Sequence, residues 1–125
     1  MSIRNWGAFI KSLWDWTFLE GCFGSSKVSP SDIDGVVEHY GAVLFIETKM
    51  PGATIPQGQQ LLFDALANLP HCFVLVIWGI DNVPQQAQLW KHWDSPRLAD
   101  VDSVRRVFSE WWLYAEKKGR DRCGR

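Results

Sequence analysis

An α/β fold with a central mixed β-sheet flanked by helices is what the sequence predicts, and three observations carry it. Residues 42–46 and 72–80 are unbroken apolar runs, the pattern of central strands covered on both faces. Between them, residues 57–69 carry apolar side chains at helical spacing, which makes a β-α-β unit with parallel strands. Ahead of the first run, residues 31–41 read as the first arm and turn of a β-hairpin.

Composition bounds the rest. With 125 residues the chain is expected to form one domain over 1–118, followed by a basic tail at 119–125. A hydrophobic content of 46% with 22% charged residues excludes a disordered chain. Cys22, Cys72 and Cys123 are odd in number and lack C-x-x-C spacing, which argues against a disulfide framework or zinc site and for a reducing, cytoplasmic compartment. Trp14, Asp15 and Glu20 interrupt what an export signal would need as an apolar stretch. The longest apolar run is too short to span a bilayer as a helix, so no membrane association is expected. A net charge of −1 gives no broad electrostatic grip on nucleic acid. Lys117, Lys118, Arg120, Arg122 and Arg125 make the end of the chain its most basic segment, and a solubilising role is the simplest one.

Taken in order, Trp6, Phe9, Ile10, Leu13, Trp16 and Thr17 predict an amphipathic helix over 5–20 that ends near Gly21. A loop follows at Gly24, Ser25 and Ser26, and Pro30 marks the approach to the hairpin. After the second arm, Pro51, Gly52 and Pro56 make a loop with Thr54 as helix cap. Ile55, Gln59, Leu62, Leu66 and Leu69 then share one face, so Gln59 is the polar member of a stripe that should meet the sheet. Beyond the strand at 72–80, a turn at Asp81, Asn82 and Pro84 leads to a short edge strand at 86–91. Asp100 or Asp102 caps a last helix, running to about Lys118, whose stripe is Val104, Val107, Phe108, Trp111 and Ala115.

The chemistry concentrates in the hairpin. Side chains alternate along a strand, so Glu47 and Lys49 share a face with Val43 and Phe45. If the turn is Tyr40-Gly41, residue 38 faces 43 and Asp34 faces Glu47; an odd loop without a bulge would turn the two acids apart. In the favourable register the carboxylates lie roughly 5 Å apart between Cβ atoms, close enough to share a proton or bind a cation. Mg²⁺ or Mn²⁺ suits two carboxylates plus waters, and Lys49 beside them can orient a water and balance developing negative charge. Asp32 is the rival acid and would sit opposite Lys49, where a salt bridge is the simpler use. Alone, a Glu-x-Lys is usually a solvated strand face, and an Asp-x-Asp before a hairpin is usually turn chemistry. Their joint spacing, with an inward glutamine on the next helix, favours a site.

Asp-Ile-Asp-Gly-Val-Val-Glu, followed after a short turn by Val-Leu-Phe-Ile-Glu-Thr-Lys, resembles the core of the PD-(D/E)xK nuclease superfamily over residues 30–80. The likeness is nearest to its small resolvase-like and phage-borne members. It implies a restriction-endonuclease-like α-β-β-β-α-β core with a C-terminal helix added, and metal-dependent cleavage of DNA. By motif match Asp34 and Glu47 would be metal ligands, the Thr48 main-chain carbonyl would complete the shell, Lys49 would be catalytic, and Gln59 would match the helix glutamine of some branches. The chain departs from the pattern in lacking a Pro-Asp directly before the first acid, which leaves Asp32 and Asp34 both open. The extra core strand would fall in residues 22–28, and Glu20 is a weak candidate for a further ligand.

The expected function is therefore a Mg²⁺- or Mn²⁺-dependent DNA nuclease, structure-selective or phage-associated. It would act in the cytoplasm, or the host-cell cytoplasm if phage-encoded. So small a domain implies a homodimer or a partner protein that supplies the target. The alternative is a non-catalytic nucleic-acid-binding or assembly module on the same fold. Trp14–Trp16, Trp90–Trp93 and Trp111-Trp112 could stack on bases, but packing is the commoner use. Trp111 and Trp112 cannot share one narrow helix stripe, so one should meet a partner or the sheet edge. His39 reads as a turn residue and Cys72 as inert core.

Overall fold

The computed structural model describes residues 14–123, with side chains through Asp121. The chain divides between Asp32 and Ile33 into two compact units. In the first, Asp15 accepts a 2.9 Å hydrogen bond from the Thr17 amide and starts a 3₁₀ turn over Trp16–Leu19. Trp14 stacks on Trp16 with ring centroids 6.3 Å apart. Most of the helix expected over 5–20 lies outside the described residues; its end is this turn. Residues 22–28 form turns and loop, so the extra strand expected there is absent. Gly21 and Gly24 stand at φ 86° and 66°, and such left-handed backbone cannot continue a strand.

The second unit is a five-stranded mixed sheet with one helix on each face. Strands β1 (Gly35–His39), β2 (Ala42–Lys49), β3 (Cys72–Ile80), β4 (Val83–Leu89) and β5 (Arg97–Leu98) lie side by side in chain order. Helix α1 (Gln57–Ala67) connects β2 to β3, which are parallel; the other neighbours are antiparallel. Helix α2 (Val101–Cys123) closes the chain. The α/β class is as expected, but the order of described elements is β-β-α-β-β-β-α, because the second unit begins directly with the hairpin.

Alternation along the strands builds two cores. Ala42, Leu44, Leu75 and Ala87 meet Val104, Trp111 and Ala115 of α2. Val74, Val76 and Trp78 meet Phe63 of α1 on the other face, with Phe45 and Leu66 packed against them. Leu44 and Leu75 are essentially inaccessible, and burying such a side chain contributes about 1.5–3 kcal/mol. The stripe expected on α2 is the observed one. On α1, Phe63 takes the most buried position, while Leu69 lies beyond the helix end and is exposed.

Several local expectations are corrected. Thr54 does not cap α1; Pro56 stands at the N-cap without a side-chain bond. The turn after β3 is Asp81-Asn82, both with positive φ, and Pro84 lies inside β4 opposite Gly79. A bulge between Trp78 and Gly79 admits this proline, since a bulged strand tolerates a missing N–H. β4 is not an edge, because β5 pairs with it at Gln86 and Ala87. Asp100 caps α2, exchanging two 2.8 Å hydrogen bonds with Ser103 in a reciprocal capping arrangement. The helix continues past Lys118 to Cys123, so the basic segment begins as helix. Here Lys118 donates to the Tyr40 carbonyl, and Gly119 lies so close to the Tyr40 ring that a Cβ would overlap it. His39 is the last residue of β1 rather than part of the turn, and Trp112 stacks on it at 4.0 Å, covering the sheet edge. Among the described residues no helix is long and apolar enough to cross a membrane.

Candidate metal centre

The site begins with the hairpin turn. Tyr40 and Gly41 stand at φ 52° and 83°, the paired left-handed conformations of a two-residue turn that matches strand twist. The Glu38 carboxylate accepts a 2.9 Å bond from the Gly41 amide and holds the turn. Pairing then runs His39 with Ala42, Glu38 with Val43, and on to Gly35 with Ile46. Continued by one position, this register sets Asp34 opposite Glu47, and the two carboxyl groups are close enough to shift each other's charge. The register on which the site depends is the productive one.

Past Gly35 the ladder stops, and the Asp34 side chain takes over from it. Its Oδ2 accepts 2.8 Å from the Thr48 amide and 2.9 Å from the Thr48 hydroxyl. Of the two candidate acids, Asp34 is therefore the one joined to Glu47; Asp32 is exposed and belongs to the first unit. Glu20 belongs to that unit too and is exposed.

Glu47, Thr48 and Lys49 end β2, at the carboxyl end of the parallel pair, where open α/β sheets place their ligands. Glu47 is 8% exposed, the only buried acid among the described residues. It lies on the α1 face, beside Val76 of β3. Gln59, in the first turn of α1, accepts from Lys49 Nζ at 2.5 Å and helps to favour the charged form of Glu47. The connecting loop is pinned by Trp78, whose indole N–H donates 2.7 Å to the Ala53 carbonyl. The structure thus brings together Asp34, Glu47, Lys49 and Gln59, with Thr48 joined to Asp34.

The two acids differ in charge. Burial, then the Asp34 charge and hydrogen bond, push the Glu47 carboxyl above its ordinary value against the opposing pull of Lys49 and Gln59. Burial acts in the same direction on Asp34, but the Thr48 amide and hydroxyl, Glu47 and Lys49 together outweigh it and hold Asp34 below its ordinary value. As pH falls, Glu47 is the first of the two to take up a proton.

Among the described residues, no group of three or more His, Cys, Asp and Glu is placed to hold a metal ion. Two hard carboxylates alone do not fit zinc, which takes three or four nitrogen, sulfur or oxygen ligands. They do fit Mg²⁺ or Mn²⁺, which is held by one or two carboxylates and keeps several waters. Asp34 and Thr48 are exposed, so the pair opens to solvent on one side while Glu47 is sheltered on the other.

What the sequence did not reveal is the Thr48 side chain. It was a ligand candidate through its carbonyl, yet its hydroxyl and amide bind Asp34; a hydroxyl between Glu and Lys was the available signal. Of the aromatics noted above, Trp111, Trp90 and Trp93 pack, whereas Trp14, Trp16 and Trp112 stay exposed. Trp90 donates 2.7 Å to Asp64 and meets Phe63 edge-on, and Trp93 lies 4.1 Å under the Arg97 guanidinium. Cys72 is a half-buried free thiol. Compared with family models, curated proteins and solved structures, the chain gives no significant match.

Proposed function

We propose that this protein is a divalent-metal-dependent nuclease that hydrolyses phosphodiester bonds in DNA. The observation that carries the reading is one juxtaposition: Asp34 and Glu47 meet across the hairpin while Lys49, tied to Gln59, projects on the Glu47 face. The likeness of residues 30–80 to the PD-(D/E)xK pattern supports the same assignment, with Asp34 and Glu47 as carboxylate ligands of Mg²⁺ or Mn²⁺ and Lys49 as the catalytic cation. When bound, such an ion supplies a Lewis acid for a phosphoryl oxygen and a more acidic water.

The chain's own residues would do the rest. Lys49 carries a positive charge beside the carboxylates, where it can orient the attacking water and offset charge that develops on the phosphorane oxygens. Gln59 restrains the Lys49 ammonium through its carbonyl, so Lys49 keeps its place beside the carboxylates as substrate arrives. A net charge of −1 leaves little long-range attraction for DNA, which fits an enzyme that works as a homodimer or with a targeting partner. A non-catalytic assembly module is the second reading, favoured by the exposed Trp112, Leu113 and Tyr114 on α2.

The test is cleavage of linear, flapped and branched DNA in Mg²⁺ and in Mn²⁺. The wild-type chain should cut at least one substrate, and Lys49→Ala should lower the rate by about 10²-fold or more while circular dichroism shows it still folded. Absence of cleavage on all three DNA forms with both metals would replace the nuclease with the binding module.

A further inference from the structure

The geometry points to Thr48 as a positioning residue that sets which cation the carboxylate pair accepts. By occupying one oxygen of Asp34, its hydroxyl restricts that carboxylate to single-oxygen coordination and favours a small octahedral ion, Mg²⁺ or Mn²⁺, over Ca²⁺. The inference rests on the metal-centre reading given above and deepens it.

Two observations carry it. Asp34 Oδ2 accepts from both the amide and the hydroxyl of Thr48, at 2.8 and 2.9 Å. Two donors on one carboxylate oxygen leave Oδ1 as the oxygen that Thr48 does not hold. Glu47 is buried beside it, so of the two acids Asp34 is the exposed one whose coordination mode the Thr48 donors set. Thr48 itself is no side-chain ligand, because alternation turns it away from the face that Glu47 and Lys49 share. Its position is exposed, so the hydroxyl has water as an alternative partner, and its use on Asp34 is not forced by burial.

The consequence follows from cation chemistry. Ca²⁺ takes six to eight oxygens at longer distances and commonly draws both oxygens of a carboxylate. Mg²⁺ demands near-octahedral geometry, accepts one oxygen from each acid and keeps its waters. Clamping Oδ2 removes the two-oxygen mode from Asp34 and leaves the one-oxygen mode intact. Partners of ligating carboxylates typically change metal affinity by about 10–100-fold when removed. The Thr48 amide remains in any variant, so the hydroxyl's share belongs at the lower end of that range.

The experiment measures Mn²⁺ binding to the full chain without DNA, by the loss of the free Mn²⁺ electron paramagnetic resonance signal, and then Ca²⁺ binding by competition. Thr48→Val should bind Mn²⁺ about tenfold more weakly than wild type while Ca²⁺ affinity holds or rises. Thr48→Ser, which keeps the hydroxyl, should restore the wild-type preference. Thr48→Ala stands in for the valine variant if circular dichroism shows that variant unfolded. A Mn²⁺-to-Ca²⁺ ratio unchanged in Thr48→Val, or a serine variant that behaves like valine, overturns the role of Thr48 alone. A wild-type chain that binds neither ion overturns the metal centre itself, and the selectivity with it.

Discussion

Glu47 is the residue at which folding and function pull apart. An apolar strand that ends in a sheltered carboxylate, with a second carboxylate across the hairpin, loses stability when both are charged. In EDTA the signs are definite. Glu47 has a folded pKa above its ordinary 4.5, so the native state holds that proton longer than the unfolded chain does. Its stabilising contribution is complete below the unfolded value and is lost as pH rises through the folded one. Asp34 runs the other way: its contribution is present above the ordinary 3.8 and is lost as pH falls through its lowered folded value. Glu47→Gln keeps a donor for Asp34 and removes the charge. We expect it to be more stable than wild type at neutral pH, and to lack the wild-type decline as pH rises through the raised Glu47 value. Urea unfolding across the pH range checks this, and parallel curves for the two proteins would show that the pair is not coupled. The same variant should lose cleavage, since one ligand is gone.

At the scale of elements, the hairpin turns decide where side chains point. Gly79 shows how little tolerance they leave: a Cβ built there would lie 2.3 Å from the Val83 carbonyl oxygen and 3.0 Å from Pro84 Cα. Both contacts are with backbone, so neither can rotate away. Gly79→Ala should therefore destabilise the β3–β4 hairpin by about 1–3 kcal/mol, read as a lower urea midpoint with an unchanged slope. This hairpin also shows the limit of what the sequence made legible. Pro84 read as turn chemistry, because a proline in a paired strand is ordinarily excluded; only the bulge at Trp78/Gly79 makes room for it. β5 has two residues, too few for any periodicity to register. By contrast, β2, β3 and the stripe of α2 were readable because apolar runs and helical spacing are set by burial in the two cores. The Asp34–Glu47 register was readable only as a condition on the turn, because an odd-length loop would have set the acids apart and nothing in the residues alone excludes one. The Thr48 clamp was not, because it forms where the ladder ends and depends on where the chain leaves it. The strand expected in residues 22–28 is absent for a local reason, Gly24 in left-handed backbone within it and the left-handed Gly21 just before it.

For the whole molecule, the carboxylate pair links ion binding to the folding equilibrium. A ligand that binds the native chain and not the unfolded one stabilises it by RT ln(1 + [L]/Kd), about 2.7 kcal/mol at a hundredfold excess over Kd. The unfolded chain has no such site, because Asp34 and Glu47 are brought together by the hairpin and Gln59 by the following helix. Mn²⁺ should thus raise the melting temperature of wild type. The gain should grow with pH, since Glu47 must give up its proton to act as a ligand and its carboxyl sits above the ordinary range. Glu47→Gln should show a markedly smaller gain, and Lys49→Ala should keep it, because Lys49 is a neighbouring cation and not a ligand. Removing that cation from beside the carboxylates even favours a positive ion there, so Lys49→Ala should bind Mn²⁺ at least as tightly as wild type while cleaving DNA about 10²-fold or more slowly. Thermal melts of the three proteins with and without Mn²⁺ at two pH values separate these roles. A gain that is equal in all three and independent of pH would place the ion elsewhere on the molecule and leave the pair as a structural contact of the hairpin.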